Sequence, residues 1–335
     1  MININHTDKL SRKLTVLEMS PKVSVLMSVY NKGKFLRNAI DSILGQSFSD
    51  FEFIIKDNCS TDDSVAIIES YHDHRIIFTR NTRNLGPGGS LNNCIGEARG
   101  EYITIAHGDD IWDIDFLAVN IAYLEQHPSA SLAHSLMSRI DEQDNATPAQ
   151  LHSNVGEYRI DRYEDVLQRL FKSCYILTPT VFVKRASMKY YENRYIYTCD
   201  WSLYLNLAVA RENFIFINRP LIQYRVSSSS ETAIGMRDGD LVLEGYLTLR
   251  NFFNNYPEYS QYRNASLRRY SRNILRRSRD SSDREKLKAL LCYSLLCYPL
   301  QIINPVFHVY LFLGILFGPS GVRSLKIFTS KKKRS

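Results

Sequence analysis

From Val23 onward, short apolar runs and amphipathic stretches take turns along the chain. VSVLM (23–27) is a β-branched run of strand length, the pattern of a parallel strand buried on both faces. KFLRNAIDSILGQ (34–46) instead places Leu36, Ile40, Ile43 and Leu44 on one helical face and stops near Gly45. FEFIIKD (51–57) predicts a second strand, followed by a helix carrying Val65, Ile67 and Ile68 with Thr61 or Asp62 as its cap. RIIFTR (75–80) predicts a third strand, NLGPGGSLNN (84–93) a glycine-rich turn running into a helix, and EYITIAH (101–107) a fourth strand. Strand and helix alternate to about residue 130, which predicts an α/β fold with a mainly parallel sheet and helices on both faces.

Ligands of such sheets gather at the carboxyl ends of the strands. Three polar clusters fall there: Tyr30-Asn31, Asp57-Asn58 and Asp109-Asp110. The last lies in IAHGDDIW (105–112), where two adjacent carboxylates repel each other and resist burial. A solvated turn whose Asp caps the next helix explains them, and so does a divalent metal site. Three clusters at strand ends favour a binding cleft.

Past residue 131 the alternation blurs. DEQDNATPAQ (141–150) reads as a surface loop, RYEDVLQRLFK (162–172) as a helix and TPTVFVKR (178–185) as a strand. TCDWSLYLNLAVA (198–210) opens with a carboxylate and continues as a mostly apolar helix, and FIFINRPLIQYRV (214–226) is extended and apolar. At 335 residues, 44% of them hydrophobic and 23% charged, the chain suits one large globular domain plus a tail. Its six cysteines include no CxxC pair, and residues 1–21 are polar with no apolar h-region, so reduced thiols in the cytoplasm are expected.

With these residues in place, the chain resembles the inverting family 2 glycosyltransferases of GT-A fold. VSVLMSVYNKGKFLRNAIDSILGQSFSDFEFIIKDNCSTDDS is similar to the family's opening signature, and NLGPGGSLNNCIGEARGEYI to its middle one. IAHGDDIW sits where the family carries its metal-binding D-x-D, and CDWSLYLNLA resembles the segment that holds its catalytic base. The resemblance covers roughly residues 23–225. It implies that Asp109 is a ligand of Mg2+ or Mn2+, and that Asp110 holds a metal-bound water or caps a helix beginning near Asp113. It makes Asp200 the base that deprotonates the acceptor hydroxyl. Tyr30, Asp57, Asn58, Arg80, Asn84, Asp109 and Arg225 are implied contacts for the nucleotide-sugar donor. Of these, Tyr30 stacks on the base or ribose, Asp57 accepts from a uracil-type edge, and Arg225 lies near the loop over the diphosphate. His107 replaces the first acid of D-x-D and is expected to stay out of the metal site. Val226-Ser227-Ser228 stands where the family often has a histidine near the metal.

The net charge of +7 is concentrated toward the C-terminus. Residues 260–280 carry seven arginines between 263 and 279 with no acid among them, with Arg268, Arg272, Arg276 and Arg279 at helical spacing and Leu267, Tyr270 and Ile274 on another face. That pattern predicts a basic amphipathic helix for an anionic lipid surface, and no base-reading module accompanies it to suggest nucleic acid. Residues 289–322 hold no Asp, Glu, Lys or Arg, but Pro299 and Asn304-Pro305 divide them. Each apolar piece spans roughly 21 Å at about 1.5 Å per residue, against a hydrocarbon core of about 30 Å. With basic residues on both flanks, these lengths predict an interfacial or re-entrant hairpin, with a tilted single span as the alternative and a pair of buried core helices as the simpler reading. The expected organisation is a leader over 1–21, a nucleotide-sugar-binding half over 22–130, an acceptor-binding half with the base over 131–230, and a helical basic and apolar tail over 231–335. The expected protein works at the inner face of the cell membrane, moving a sugar, most readily from a UDP-sugar, to a lipid-linked glycan acceptor in surface-polysaccharide assembly. A catalytically silent sugar-nucleotide-binding or scaffolding relative is the alternative.

Overall fold

The computed structural model describes residues 20–227, 230–238, 240–278 and 308–309. Strands β1 (Val23–Val29), β2 (Phe51–Asp57), β3 (Ile76–Arg80) and β4 (Tyr102–Ala106) are parallel. Between them run helices α1 (Gly33–Leu44), α2 (Ser64–Glu69) and α3 (Gly86–Glu97). Then come β5 (Ile111–Trp112), α4 (Phe116–Gln126), β6 (Ala130–Ile140), β7 (Ala146–Thr147), β8 (Tyr158–Asp161), α5 (Tyr163–Leu170), β9 (Val181–Lys184), α6 (Cys199–Val209) and β10 (Asn213–Arg225). Helices α7 (Glu231–Asp238), α8 (Asp240–Asn255) and α9 (Ser260–Ser278) follow.

All ten strands form one sheet in the order β3-β2-β1-β4-β9-β6-β10-β5, with β7 on β6 and β8 on β10. The sheet therefore runs unbroken across residue 130. β9 inserts antiparallel between β4 and β6, and β10 returns parallel to β6. Side chains alternate across the sheet as a period of two demands. Val23, Val25, Met27 and Val29 face α1 and α4, packing with Leu36, Ile40, Phe116 and Leu117. Leu26, Ile54 and Ile103 face the other way, onto Cys94 of α3. Farther along that second face, α5, α6, α8 and α9 pack on Leu132, Val181, Val183 and Phe214.

Two expectations change here. TPTVFVKR divides into a 3-10 turn at Thr178–Thr180 and strand β9. The apolar side of the basic helix is not free for lipid, because Leu267 and Tyr270 of α9 are buried against the domain. Gly245 of α8 permits that approach, since a Cβ there would meet Tyr270 Cε1 at 2.8 Å and Trp201 Cζ3 at 2.9 Å. Arg268, Arg269 and Arg272 remain exposed. No helix among the described residues is long and apolar enough to cross a membrane. The apolar stretch 289–322 lies outside the described residues, apart from His308 and Val309, and so do residues 1–19 of the leader.

Candidate active site

The carboxyl ends of β1, β2 and β4 lie level, with Val29 opposite Asp57 and Met27 opposite Ala106. The turn after β1 is tied to the turn after β2. Asn31, with a left-handed φ of 51°, accepts the Thr61 N–H on Oδ1 at 2.8 Å. The Gly33 N–H at the start of α1 donates to Asp62 Oδ2 at 2.9 Å, while Asp62 Oδ1 accepts the Ser64 N–H that opens α2. Tyr30 stands 44% exposed above this junction.

Asp57 is fully buried, its carboxylate accepting the Ser60 N–H and contacting Arg80 Nε at 3.3 Å. Asn58 has a different role from the expected donor contact. Its Nδ2 donates to Asn84 Oδ1 and the Gly86 carbonyl, and its Oδ1 accepts from the Leu85 N–H and Asn81 Nδ2. Two donors and two acceptors use the whole capacity of an amide, so Asn58 fixes the 81–86 turn instead of reaching a ligand. Asn84 shares that network and is itself exposed.

After β4 the chain turns through His107-Gly108-Asp109-Asp110 into β5, which pairs with β10. His107, Asp109 and Asp110 each bring a ligand atom within 4.8 Å of the others, so the structure draws in the histidine that the sequence reading leaves out. Gly108 lets α1 come close, since a Cβ there would lie 3.2 Å from both Leu36 Cδ1 and Lys32 Cβ. Lys32 forms an ion pair with Asp109 Oδ2. Asp110 is 1% exposed, its Oδ1 accepts the Arg225 N–H at 2.8 Å, and its Oδ2 lies 3.3 Å from His107 Nδ1 without a well-aligned hydrogen bond. Asp110 therefore caps no helix: α4 begins at Phe116, after β5. Burial pushes the Asp110 carboxyl up, against the pull of His107. Burial opposes the imidazolium of His107, but Asp110 and Asp109 outweigh it and raise the imidazole pKa. A buried carboxylate oxygen lacking a good donor, beside a second carboxylate and an imidazole, fits a divalent cation. Carboxylate oxygens are the ligands Mg2+ and Mn2+ take.

Arg225 also departs from its expected role. Its side chain is 1% exposed, with Nε donating to the Asp109 carbonyl at 2.9 Å, the other guanidinium nitrogens bonding the Asp141 carbonyl and Asp144, and Phe35 stacked 4.1 Å away. It holds the Asp109-Asp110 turn from behind rather than presenting a charge to a diphosphate.

Asp200 lies on the first turn of α6. Its Oδ1 accepts the Trp201 N–H at 2.7 Å, and its Oδ2 accepts the Thr178 hydroxyl at 3.0 Å. Burial raises its carboxyl pKa, only partly offset by Thr178, the Trp201 amide and the charge of His107. The loop leading into α6 is held by Glu244 of α8, whose carboxylate accepts the N–H groups of Ile196, Tyr197 and Thr198. Lys32, Thr178 and Glu244 are absent from the sequence reading. Nothing in the sequence marks them, because each acts on a partner 22 to 77 residues away.

Comparison with known proteins shows the family and the fold. The family model Glycosyl transferase family 2 matches residues 24–191. An uncharacterised glycosyltransferase of Methanocaldococcus jannaschii is 31% identical over 71% of this chain and 82% of its own length. The GalNAc(5)-diNAcBac-PP-undecaprenol beta-1,3-glucosyltransferase of Campylobacter jejuni is 26% identical over 70% of this chain and 75% of its own. Among solved structures, S. aureus TarS 1–349 in complex with UDP-GlcNAc superposes with a TM-score of 0.67 at 16% identity, covering 93% of this chain and 92% of that one, which shows a shared fold. The chain belongs to glycosyl transferase family 2.

Proposed function

We propose that this glycosyltransferase inverts the anomeric centre as it moves a sugar from a nucleotide-diphosphate donor, most readily a UDP-sugar, to a hydroxyl of a lipid-linked glycan acceptor in surface-polysaccharide assembly. The observation that carries the reading is Asp200: a half-buried carboxylate with a raised pKa, its second oxygen steered by Thr178, within electrostatic reach of His107 of the His107-Asp109-Asp110 cluster. A raised pKa strengthens a carboxylate as a base toward a hydroxyl proton. Tyr30 offers an exposed ring for the base or ribose, and Arg80 a half-exposed guanidinium beside the nucleotide. Asp109 and Asp110, with His107, would hold Mg2+ or Mn2+, which when bound neutralises the charge of the departing diphosphate. The undecaprenol-linked substrate of the Campylobacter jejuni relative and the UDP-GlcNAc in TarS support the acceptor and donor classes. The exposed arginines of α9 support attachment to an anionic membrane by charge, at the inner face of the cell membrane.

One observation favours the silent alternative: Lys32 already neutralises Asp109. A thermal-shift panel of UDP, GDP, dTDP and CMP, with and without Mn2+, on wild type and Asp109→Ala separates the readings. Stabilisation by one nucleotide only with metal, at about 2.7 kcal/mol for a hundredfold excess over Kd, and its loss in Asp109→Ala, supports the transferase. No shift with any nucleotide under any condition sinks it.

A further inference from the structure

Next to the turn whose Thr178 holds Asp200 lies a cavity of about 770 Å³ lined by none of the proposed donor-site residues. Five cationic side chains line it, Arg139, Arg159, Arg169, Lys172 and Arg269, and no carboxylate does among the described residues. Arg159 and Arg169 are committed to the buried Asp161, at 2.7 and 2.8 Å. Arg139, Lys172 and Arg269 are exposed and form no ion pair among the described residues. Three uncompensated cations around one concavity repel each other and are relieved by a bound anion.

The rest of the lining is aromatic and polar. His134 packs on Phe216 and Tyr175, with ring centroids 5.3 and 5.9 Å away, and His152 packs edge-on against Phe216. His134 Nε2 and the Tyr175 hydroxyl are buried without a hydrogen-bond partner among the described residues. Unpaired buried polar atoms are costly, so they mark where a ligand oxygen is expected. Leu177 lines the cavity too, and the next residue is Thr178, whose hydroxyl holds Asp200. Cations, aromatic faces and unpaired polar atoms in one concavity suit a sugar joined to phosphate.

We propose that this cavity is a phosphate subsite for the acceptor: it takes the phosphate or diphosphate joining the glycan to its carrier, and so turns a glycan hydroxyl toward Asp200. The inference rests on the reading of the chain as a transferase with a carrier-linked acceptor. Helix α9 supplies Arg269, so the arginine helix that faces the membrane in that reading also reaches the cavity.

The test is calorimetric titration in EDTA with three probes: farnesyl diphosphate, a glycerol-phosphate oligomer and the uncharged farnesyl glucoside. Wild type and Asp109→Ala should bind the phosphorylated probes alike, and the Arg139→Gln/Lys172→Gln/Arg269→Gln variant at least tenfold more weakly. Tighter binding of farnesyl diphosphate identifies a lipid diphosphate, and tighter binding of the oligomer a polyol-phosphate chain; both support the subsite. Equal binding to the triple variant, loss in Asp109→Ala alone, equal binding of the uncharged glucoside, or no phosphate binding to wild type overturns it. If the triple variant melts lower, the three single variants carry the test, each expected to weaken binding two- to fivefold. Metal-dependent donor hydrolysis by wild type, measured in the same preparation, keeps the two readings apart. If it persists while the titration fails, only the subsite falls; if it is absent, the transferase reading falls.

Discussion

The Thr178 hydroxyl donates to Asp200 Oδ2 at 3.0 Å across 22 residues of sequence. Thr178 opens the 3-10 turn ahead of β9, and β9 pairs with β4, the strand that ends at Ala106 just before His107. The contact thus links Asp200 to the strand that leads into the acidic cluster, and it orients the carboxylate and lowers its proton affinity against the effect of burial.

Removing that hydroxyl should move the pH profile. A hydrogen bond to the charged carboxylate lowers its pKa, so Thr178→Val raises the already elevated Asp200 further. The acid limb of kcat/KM, where the base becomes protonated, is expected to shift to higher pH in Thr178→Val. An unmoved limb would show that Asp200 is not the titrating base.

Asp200→Asn separates activity from stability. Loss of a general base typically costs 10²–10⁴-fold in rate, about 3–5 kcal/mol of barrier. Because the folded pKa of Asp200 lies above the unfolded value, the native state binds more protons in that window and wild-type stability falls as pH rises through it. The variant should therefore melt higher than wild type at pH 7, with the gap closing below about pH 4. Melting curves at both pH values, beside product formation, check both halves.

Glu244 is expected to act at a distance from the chemistry. Its carboxylate collects three successive backbone N–H groups ahead of Asp200, and hydrogen bonds to a charged group contribute about 1.5–3 kcal/mol. Glu244→Ala should lose roughly that much in denaturant unfolding and lower kcat, while leaving the metal-dependent binding of nucleotide unchanged. A fall in nucleotide affinity equal to that of Asp109→Ala would contradict this division.

Gly245→Ala tests the docking of α9. A Cβ there meets two aromatic rings below 3.0 Å, and overpacking of this kind costs about 1–3 kcal/mol. Limited proteolysis should cut the variant within α9 sooner than wild type. Equal protection would mean that Tyr270 and Trp201 move aside at no cost.

What the sequence determined by itself is the local part. Strands β1 to β4 and their helices follow from side-chain periods of 2 and 3.6, and the level row of Tyr30, Asp57 and Asp109 follows from parallel pairing of those strands. Family resemblance singled out Asp109 and Asp200 without geometry. The sequence did not show β5, which spans two residues, and did not separate β6 and β8 from the blurred region that follows, because β6 is buried along much of its length and β8 lies at an edge with no continuous apolar face. Tertiary structure alone decided where the polar side chains spend their hydrogen bonds. Asn58 and Arg225 are residue types that suit a nucleotide, yet partners from distant segments saturate the first and enclose the second. The five cations of the acceptor-side cavity come from β6, β8, α5, the loop after it and α9, and appear in the sequence only as scattered charge. Hydrophobic periodicity reports the face a residue buries, which is a local property of the backbone; a polar group's partner depends on which loops meet in space, and only the assembled sheet fixes that.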